Sequence, residues 1–317
     1  MTGEAVRTAG RRATQGIVRP ERSRRAPSRT LCSRPSTSLG TNGRWLTVSE
    51  ALAEATTRLA AVGDTPRLDA ELLMAHALGV SREALLLTHL SDPVPDAFEP
   101  LIRRRLAHEP VAYILGTRGF WTIELEVGPG VLIPRPDSET LLDAAVAHFG
   151  KAGPRTILDL GTGSGALLLA ALDQWPDATG VGRDACPEAL VIAKRNAGRL
   201  GLAERAAFSR GDWGEGLDGP FDLILCNPPY VETDADLPPD VRDWEPHGAL
   251  FAGPEGLDDY RRLAPEIGRL LGPEGLACVE IGASQASRAG ALFEAQGLEV
   301  RVRRDLAGRD RCLVLRH

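Results

Sequence analysis

Thr156-Ile-Leu-Asp-Leu-Gly-Thr-Gly-Ser-Gly165 decides the fold. Thr156 to Leu160 is a short apolar run of strand type. Gly161, Gly163 and Gly165 let the backbone turn tightly beneath a ligand and open a helix to about Leu172. The pattern then repeats outward. A second strand covers Ala178 to Gly182, with the chain continuing to Asp184, and Pro187 opens the next helix. A third strand covers Ala206 to Ser209, a fourth Phe221 to Cys226, and a helix spans Leu257 to Leu271. Leu276 to Ile281, Leu298 to Arg303 and Arg311 to Leu315 supply the last strands. Near-continuous Val/Ile/Leu strands alternating with helices predict an α/β domain with an open, doubly wound sheet of seven strands. Ligands of such a sheet belong at the carboxyl ends of its strands.

Upstream the texture is helical. Four amphipathic segments between 45 and 110 predict a bundle, with Thr47 or Ser49 capping the first, Ser81 capping the third and Phe98 to Ala107 forming the fourth. Arg103 to Arg105 read as solvated residues that could meet an acidic partner. Residues 111–134 alternate like strands (Val111-Ala-Tyr-Ile, Phe120 to Val127, Val131-Leu-Ile) and predict a linking β-hairpin. The remaining residues, 135–317, are expected to form the sheet domain. Residues 1–44 are rich in Arg, Ser and Pro with almost no apolar periodicity and read as a disordered tail, flexible or arising from an upstream start. Their Arg-rich, acid-poor character also fits a transit peptide, without the amphipathic helix one needs.

The net charge is -6, but residues 1–40 carry +7 and the rest -13, which argues against a large face for gripping nucleic acid. Five widely separated cysteines contain no CxxC pair, and the six histidines form no ligand cluster, so no metal is expected. No apolar run spans a bilayer. The chain is expected in the cytoplasm, as a monomer, with no membrane association and no stable nucleic-acid complex.

Asp159 precedes the first glycine by two positions, and no Gly-Lys-Ser/Thr follows. A carboxylate there suits a cationic ligand or its amino group and repels pyrophosphate. Thr162 and Ser164 complete the loop. Asp184 stands where an acid accepts ribose hydroxyls, about twenty residues after the glycines. Asp212 could accept from an adenine amino group and Trp213 could edge the base, although a capped surface turn would use the same pair. A nucleoside with a sulfonium and an amino-acid tail, S-adenosyl-L-methionine, answers to all of these groups. Asn227-Pro-Pro-Tyr230 then follows the fourth strand. Asn227 offers a side-chain carbonyl, Pro228 a backbone one, Pro229 stiffens the turn and Tyr230 can wall a flat amide or amino group. A proline-rich turn after a strand would also give these four residues.

Taken together, these landmarks resemble the protein-(glutamine-N5) methyltransferases of peptide chain release factors, the HemK/PrmC family, over about residues 45–317. Ile133-Pro-Arg-Pro-Asp-Ser-Glu139, Gly256-Leu-Asp-Asp-Tyr260, Glu280-Ile-Gly-Ala-Ser-Gln285 and Asp305-Leu-Ala-Gly-Arg-Asp310 join the motifs above. The resemblance implies a Rossmann-like class I methyltransferase fold, with cofactor residues at Gly161 to Gly165, Asp184, Trp213 and Asn227. It places the substrate residues at Asn227 to Tyr230. It implies a release factor as partner, bound with help from the helical domain. In many relatives the acid follows an apolar dipeptide directly; here Val181-Gly-Arg183 intervenes, read as a two-residue extension of the turn. Adenine-N6 nucleic-acid methyltransferases and glutamine methyltransferases of ribosomal proteins share the Asn-Pro-Pro-Tyr logic and stay open as alternatives.

Overall fold

Helix formation starts at Thr47, where two reciprocal bonds close a capping box. Glu50 N donates to Thr47 Oγ1 at 3.3 Å and Thr47 N donates to Glu50 Oε2 at 2.9 Å. The computed structural model describes residues 46–317. The expected tail, with Cys32, lies outside them. Helices α1 (Val48–Leu59), α2 (Pro66–Leu78), α3 (Arg82–Thr88) and α4 (Phe98–Leu106) form the bundle. Pro66 opens α2, and Ser81 caps α3 by accepting from Ala84 N at 3.2 Å. Leu52, Leu59, Leu73, Met74, Leu85 and Ile102 are fully buried in its core. Each stabilises the bundle by roughly 1.5–3 kcal/mol. Arg105 is not solvated. It is buried, paired with Asp69 at 2.8 Å, and reaches Asp240 at 3.4 Å.

The expected strand at Val111 is a helix, α5 (Val111–Leu115). Pro110 precedes it and Gly116, in the left-handed region at φ 75°, ends it. It buries three consecutive residues, Ala112, Tyr113 and Ile114, which a half-buried strand would have split between two faces. The hairpin is therefore shorter than expected: β1 (Thr117–Phe120) and β2 (Ile123–Glu126) pair antiparallel around Trp121-Thr122. Val131 and Ile133 are not in a strand; they pack, as loop residues, with Tyr113 and with Ala189 and Ile192 further along the chain. Buried Asn196 locks this hairpin to the sheet domain. It accepts from Glu126 N at 2.7 Å and donates to Glu126 O and Ser164 O.

After a 3-10 turn at Pro136–Ser138 the chain runs α6 (Glu139–Phe149), β3 (Thr156–Leu160), α7 (Ala166–Gln174), β4 (Thr179–Asp184), α8 (Pro187–Arg199), β5 (Ala206–Arg210) and β6 (Phe221–Cys226). A long loop containing the short α9 (Pro239–Arg242) leads to α10 (Asp258–Leu270), β7 (Leu271–Glu280), α11 (Ala286–Glu294), β8 (Glu299–Arg304) and β9 (Asp310–Arg316). The seven-stranded sheet has the order β5-β4-β3-β6-β7-β9-β8. β5 through β7 are parallel; β9 runs antiparallel between β7 and β8. Both faces are covered, as the unbroken apolar strands require. Leu223 and Leu225 face the α6–α7 layer, and Ile224 and Cys226 face α10 and α11. β4 continues straight through Asp184, so the expected two-residue turn extension does not exist. The chain leaves β3 in one direction to β4 and β5, then returns to β6 on the other side. The crevice at this switch point is where a doubly wound sheet holds its ligand.

Candidate active site

A cavity of about 490 Å³ opens at the carboxyl ends of β3, β4 and β6. Its floor is the glycine-rich loop. Gly161 N and Thr162 N both donate to Arg183 O at 2.9 Å, which ties the loop to the end of β4. Gly161 has φ 74°, and a Cβ there would meet the Trp213 ring at 3.2 Å. The left-handed φ favours glycine, and the close approach leaves little room for a side chain. Asp159 is 1% exposed. One oxygen accepts from Thr162 Oγ1 at 2.6 Å and from Leu168 N at 3.3 Å. The other has no partner among the described residues. Burial pushes its carboxyl up to about 7. A buried acceptor facing a cavity without a donor fits an ammonium group of a ligand.

Asp184 is held rigidly, accepting from Gly163 N and Cys186 N at 2.8 Å each. Each oxygen keeps a second lone pair for a sugar hydroxyl. Asp212 is ion-paired with Arg262, so only part of its carboxylate faces the cavity. Asp259 also lines the wall; burial raises its carboxyl, while Arg262, 3.5 Å away, steadies the charge.

Asn227 follows the last residue of β6. Its Nδ2 donates to Ser138 Oγ at 3.2 Å, which leaves Oδ1 directed elsewhere. Neither Asn227 Oδ1 nor the Pro228 carbonyl accepts a bond from another described residue. Pro228 and Pro229 are buried. Tyr230 is braced on three sides. Its N–H donates to Leu250 O at 3.2 Å, its carbonyl accepts from Gln285 Nε2 at 2.9 Å, and its hydroxyl donates to Glu280 Oε1 at 3.1 Å. Burial against Glu280 raises its phenol above the ordinary tyrosine value. Gly256, φ 64°, lies beneath it, where a Cβ would meet Tyr230 O at 2.3 Å.

Of the expected site residues, Asp159, Gly161, Thr162, Gly163, Ser164, Asp184, Asp212, Trp213, Asn227 and Pro229 line one cavity. Gly165, at the start of α7, and Pro228 and Tyr230 are not among the residues that line it. Asp137 and Glu139 are scaffold: Asp137 pairs with Arg311 at 3.0 Å and Glu139 accepts from Trp121 N at 2.9 Å. Sequence reasoning passed over Asp259, Ser138 and Glu280, although each lies inside a motif that it quoted. Among the described residues no group of three or more His, Cys, Asp or Glu could hold a metal, and no helix is long and apolar enough to cross a membrane.

A doubly wound, seven-stranded sheet, an acid-led glycine loop and an Asn-Pro-Pro-Tyr turn at its switch point define a Rossmann-like methyltransferase. Residues 50–116 match the family described as PrmC N-terminal domain, and residues 137–239 match the methyltransferase small domain. The chain is 47% identical over 259 residues to the release factor glutamine methyltransferase of Rhodospirillum rubrum, covering 80% of this chain and 79% of that one. It is 44% identical to that of Caulobacter vibrioides (85% and 96% covered) and 43% identical to that of Cereibacter sphaeroides (84% and 98%). The chain belongs to the release factor glutamine methyltransferase family.

Proposed function

We propose that the protein transfers the methyl group of S-adenosyl-L-methionine to the side-chain N5 of the glutamine in the Gly-Gly-Gln motif of peptide chain release factors. The observation that carries the reading is the pair of uncommitted acceptors, Asn227 Oδ1 and the Pro228 carbonyl, beside a cavity whose buried acid has one oxygen without a donor among the described residues. When bound, the sulfonium supplies an electrophilic methyl. Asp159 accepts from the cofactor's amino group, Asp184 takes the ribose hydroxyls, and Trp213 edges the adenine beside Asp212. An amide nitrogen is a poor nucleophile because its lone pair is delocalised into the carbonyl. The two acceptors take its hydrogens, orient it in line and favour the positive charge that develops. Tyr230 holds the amide plane. The proton becomes acidic once the nitrogen is alkylated, so no strong base is needed before transfer. The helical domain, residues 45–110, helps to recognise the release factor, and the enzyme works in the cytoplasm as a monomer.

The test offers labelled S-adenosyl-L-methionine together with three substrates: an intact release factor, a variant with alanine in place of the motif's glutamine, and unmethylated adenine-containing DNA. Label on that glutamine alone, located by mass spectrometry, is the expected result. Label on DNA would transfer the assignment to adenine-N6 chemistry. Label on neither would redirect it to another protein glutamine.

A further inference from the structure

Arg183 stands between the apolar part of β4 and Asp184, and methyl transfer gives its side chain no part. That side chain crosses to the segment after β5. Nη1 donates to Ser209 Oγ at 3.2 Å and Nη2 to Glu215 O at 2.6 Å, while Nε is buried with no partner among the described residues. A Cβ on Gly211 would come within 2.1 Å of the guanidinium carbon, so the cation lies directly against bare backbone.

Helix α10 contributes two more cations to the same segment. Arg269 Nη1 donates to Leu217 O at 2.7 Å and Nη2 to Gly214 O at 2.9 Å. Arg262 pairs with the Asp212 carboxylate. Gly214 packs on this helix too, where a Cβ would meet Leu270 Cδ1 at 2.6 Å. Within the segment so held, Trp213 has φ 44°, a left-handed backbone that aromatic residues rarely adopt. Its ring rests on the glycine loop, 3.2 Å from where a Gly161 Cβ would lie. Strain of this kind persists only where the surroundings over-determine the backbone. Here the surroundings are guanidinium groups on three successive carbonyl acceptors, Gly214, Glu215 and Leu217.

We propose that Arg183 and Arg269 are positioning residues for the cofactor: by holding those carbonyls they keep Trp213 in its strained state, its ring set as the adenine wall before the ligand arrives. The proposal rests on the reading of Asp212 and Trp213 as the adenine end of the cavity. Without the arginines the turn relaxes toward ordinary φ values, and the ring stands in place for only a fraction of the time. The apparent dissociation constant then rises by the inverse of that fraction. Once the cofactor is bound the wall is complete, and the acceptors at Asn227 and Pro228 work as before. Arg269 separates positioning from contact, because it is exposed on α10 and is not among the residues that line the cavity.

The experiment is a calorimetric titration of the full chain with S-adenosyl-L-methionine. Arg269→Ala should raise the dissociation constant by on the order of 10-fold, and Arg183→Met by at least as much. For Arg269→Ala, kcat on an intact release factor at saturating cofactor should stay within about twofold of wild type. Trp213→Gly removes the ring and accepts the left-handed backbone without strain. In that background Arg269→Ala should cost less than about twofold more. An Arg269→Ala protein that binds as tightly as the wild type overturns the proposal and leaves the methyl-transfer reading standing. So does one that loses kcat as steeply as affinity, or that loses the same affinity with and without Trp213. No binding of S-adenosyl-L-methionine by the wild type removes both.

Discussion

Asp159 is a carboxylate that folding buries with one oxygen unpaired, and this makes it a liability before it becomes an asset. Its folded pKa of about 7 lies above the ordinary 3.8. Between those values the folded chain holds a proton that the unfolded chain has lost. Its contribution to stability therefore falls as pH rises through the window and is smallest above about 7. Asp159→Asn should raise the melting temperature of the ligand-free protein at pH 8 by about a few degrees and weaken S-adenosyl-L-methionine by on the order of 10- to 100-fold. Thermal melts with and without the cofactor check both halves. Asn227→Ala removes the side chain proposed to hold the substrate amide, at one of the residues that line the cavity. Turnover should fall at least on the order of 100-fold with cofactor affinity largely kept, measured by calorimetry beside the methylation assay. Residues of this kind were legible in the sequence because the loop that carries each one is contiguous. Asp159 through Gly165 and Asn227 through Tyr230 bring their chemistry with their neighbours. Ser138, Glu280 and Arg311 come from a 3-10 turn, β7 and β9, three distant segments that only the fold brings near one another.

Elements obey the same distinction. β6 was legible to the residue, since Phe221 to Cys226 is a mostly apolar run with Pro220 before it and Asn227-Pro228 after it. Val111 to Ile114 misled because four apolar residues carry no period of their own. Pro110 before them and Gly116 after them are the start and stop signals of a helix, and those signals outweighed β-branching. The turn beneath Tyr230 provides a test at this scale. A Cβ on Gly256 would lie 2.3 Å from Tyr230 O and 2.7 Å from Gln285 Nε2, and the backbone is left-handed there. Gly256→Ala should displace Tyr230 and lower kcat by on the order of 10-fold or more, with the cofactor's dissociation constant within about twofold of wild type. Equal loss in both would place the damage in the whole crevice.

Across the whole molecule, Arg105 joins the bundle to the loop that follows the Asn-Pro-Pro-Tyr turn. It binds Asp69 and Val62 O within the bundle and Asp240 on α9. Removing it leaves Asp69, itself buried, without its cation. Arg105→Ala should cost about 3–5 kcal/mol, read as a lower denaturation midpoint with an unchanged slope. Asp240→Ala, at a partly exposed partner, should cost under about 1 kcal/mol. The place of β9 has a different kind of consequence. β8 has β9 as its one neighbour in the sheet, and β9 is synthesised after it. During vectorial synthesis β8 therefore emerges with no strand to join. β3 to β6, which carry the glycine loop and the Asn-Pro-Pro-Tyr turn, have by then already met their partners. Arg311, the cation nearest Glu280, also arrives with β9. A nascent chain stopped short of Asp310 would already own the crevice at β3, β4 and β6 but would leave β7 and β8 with unpaired edges, open to pairing with another chain.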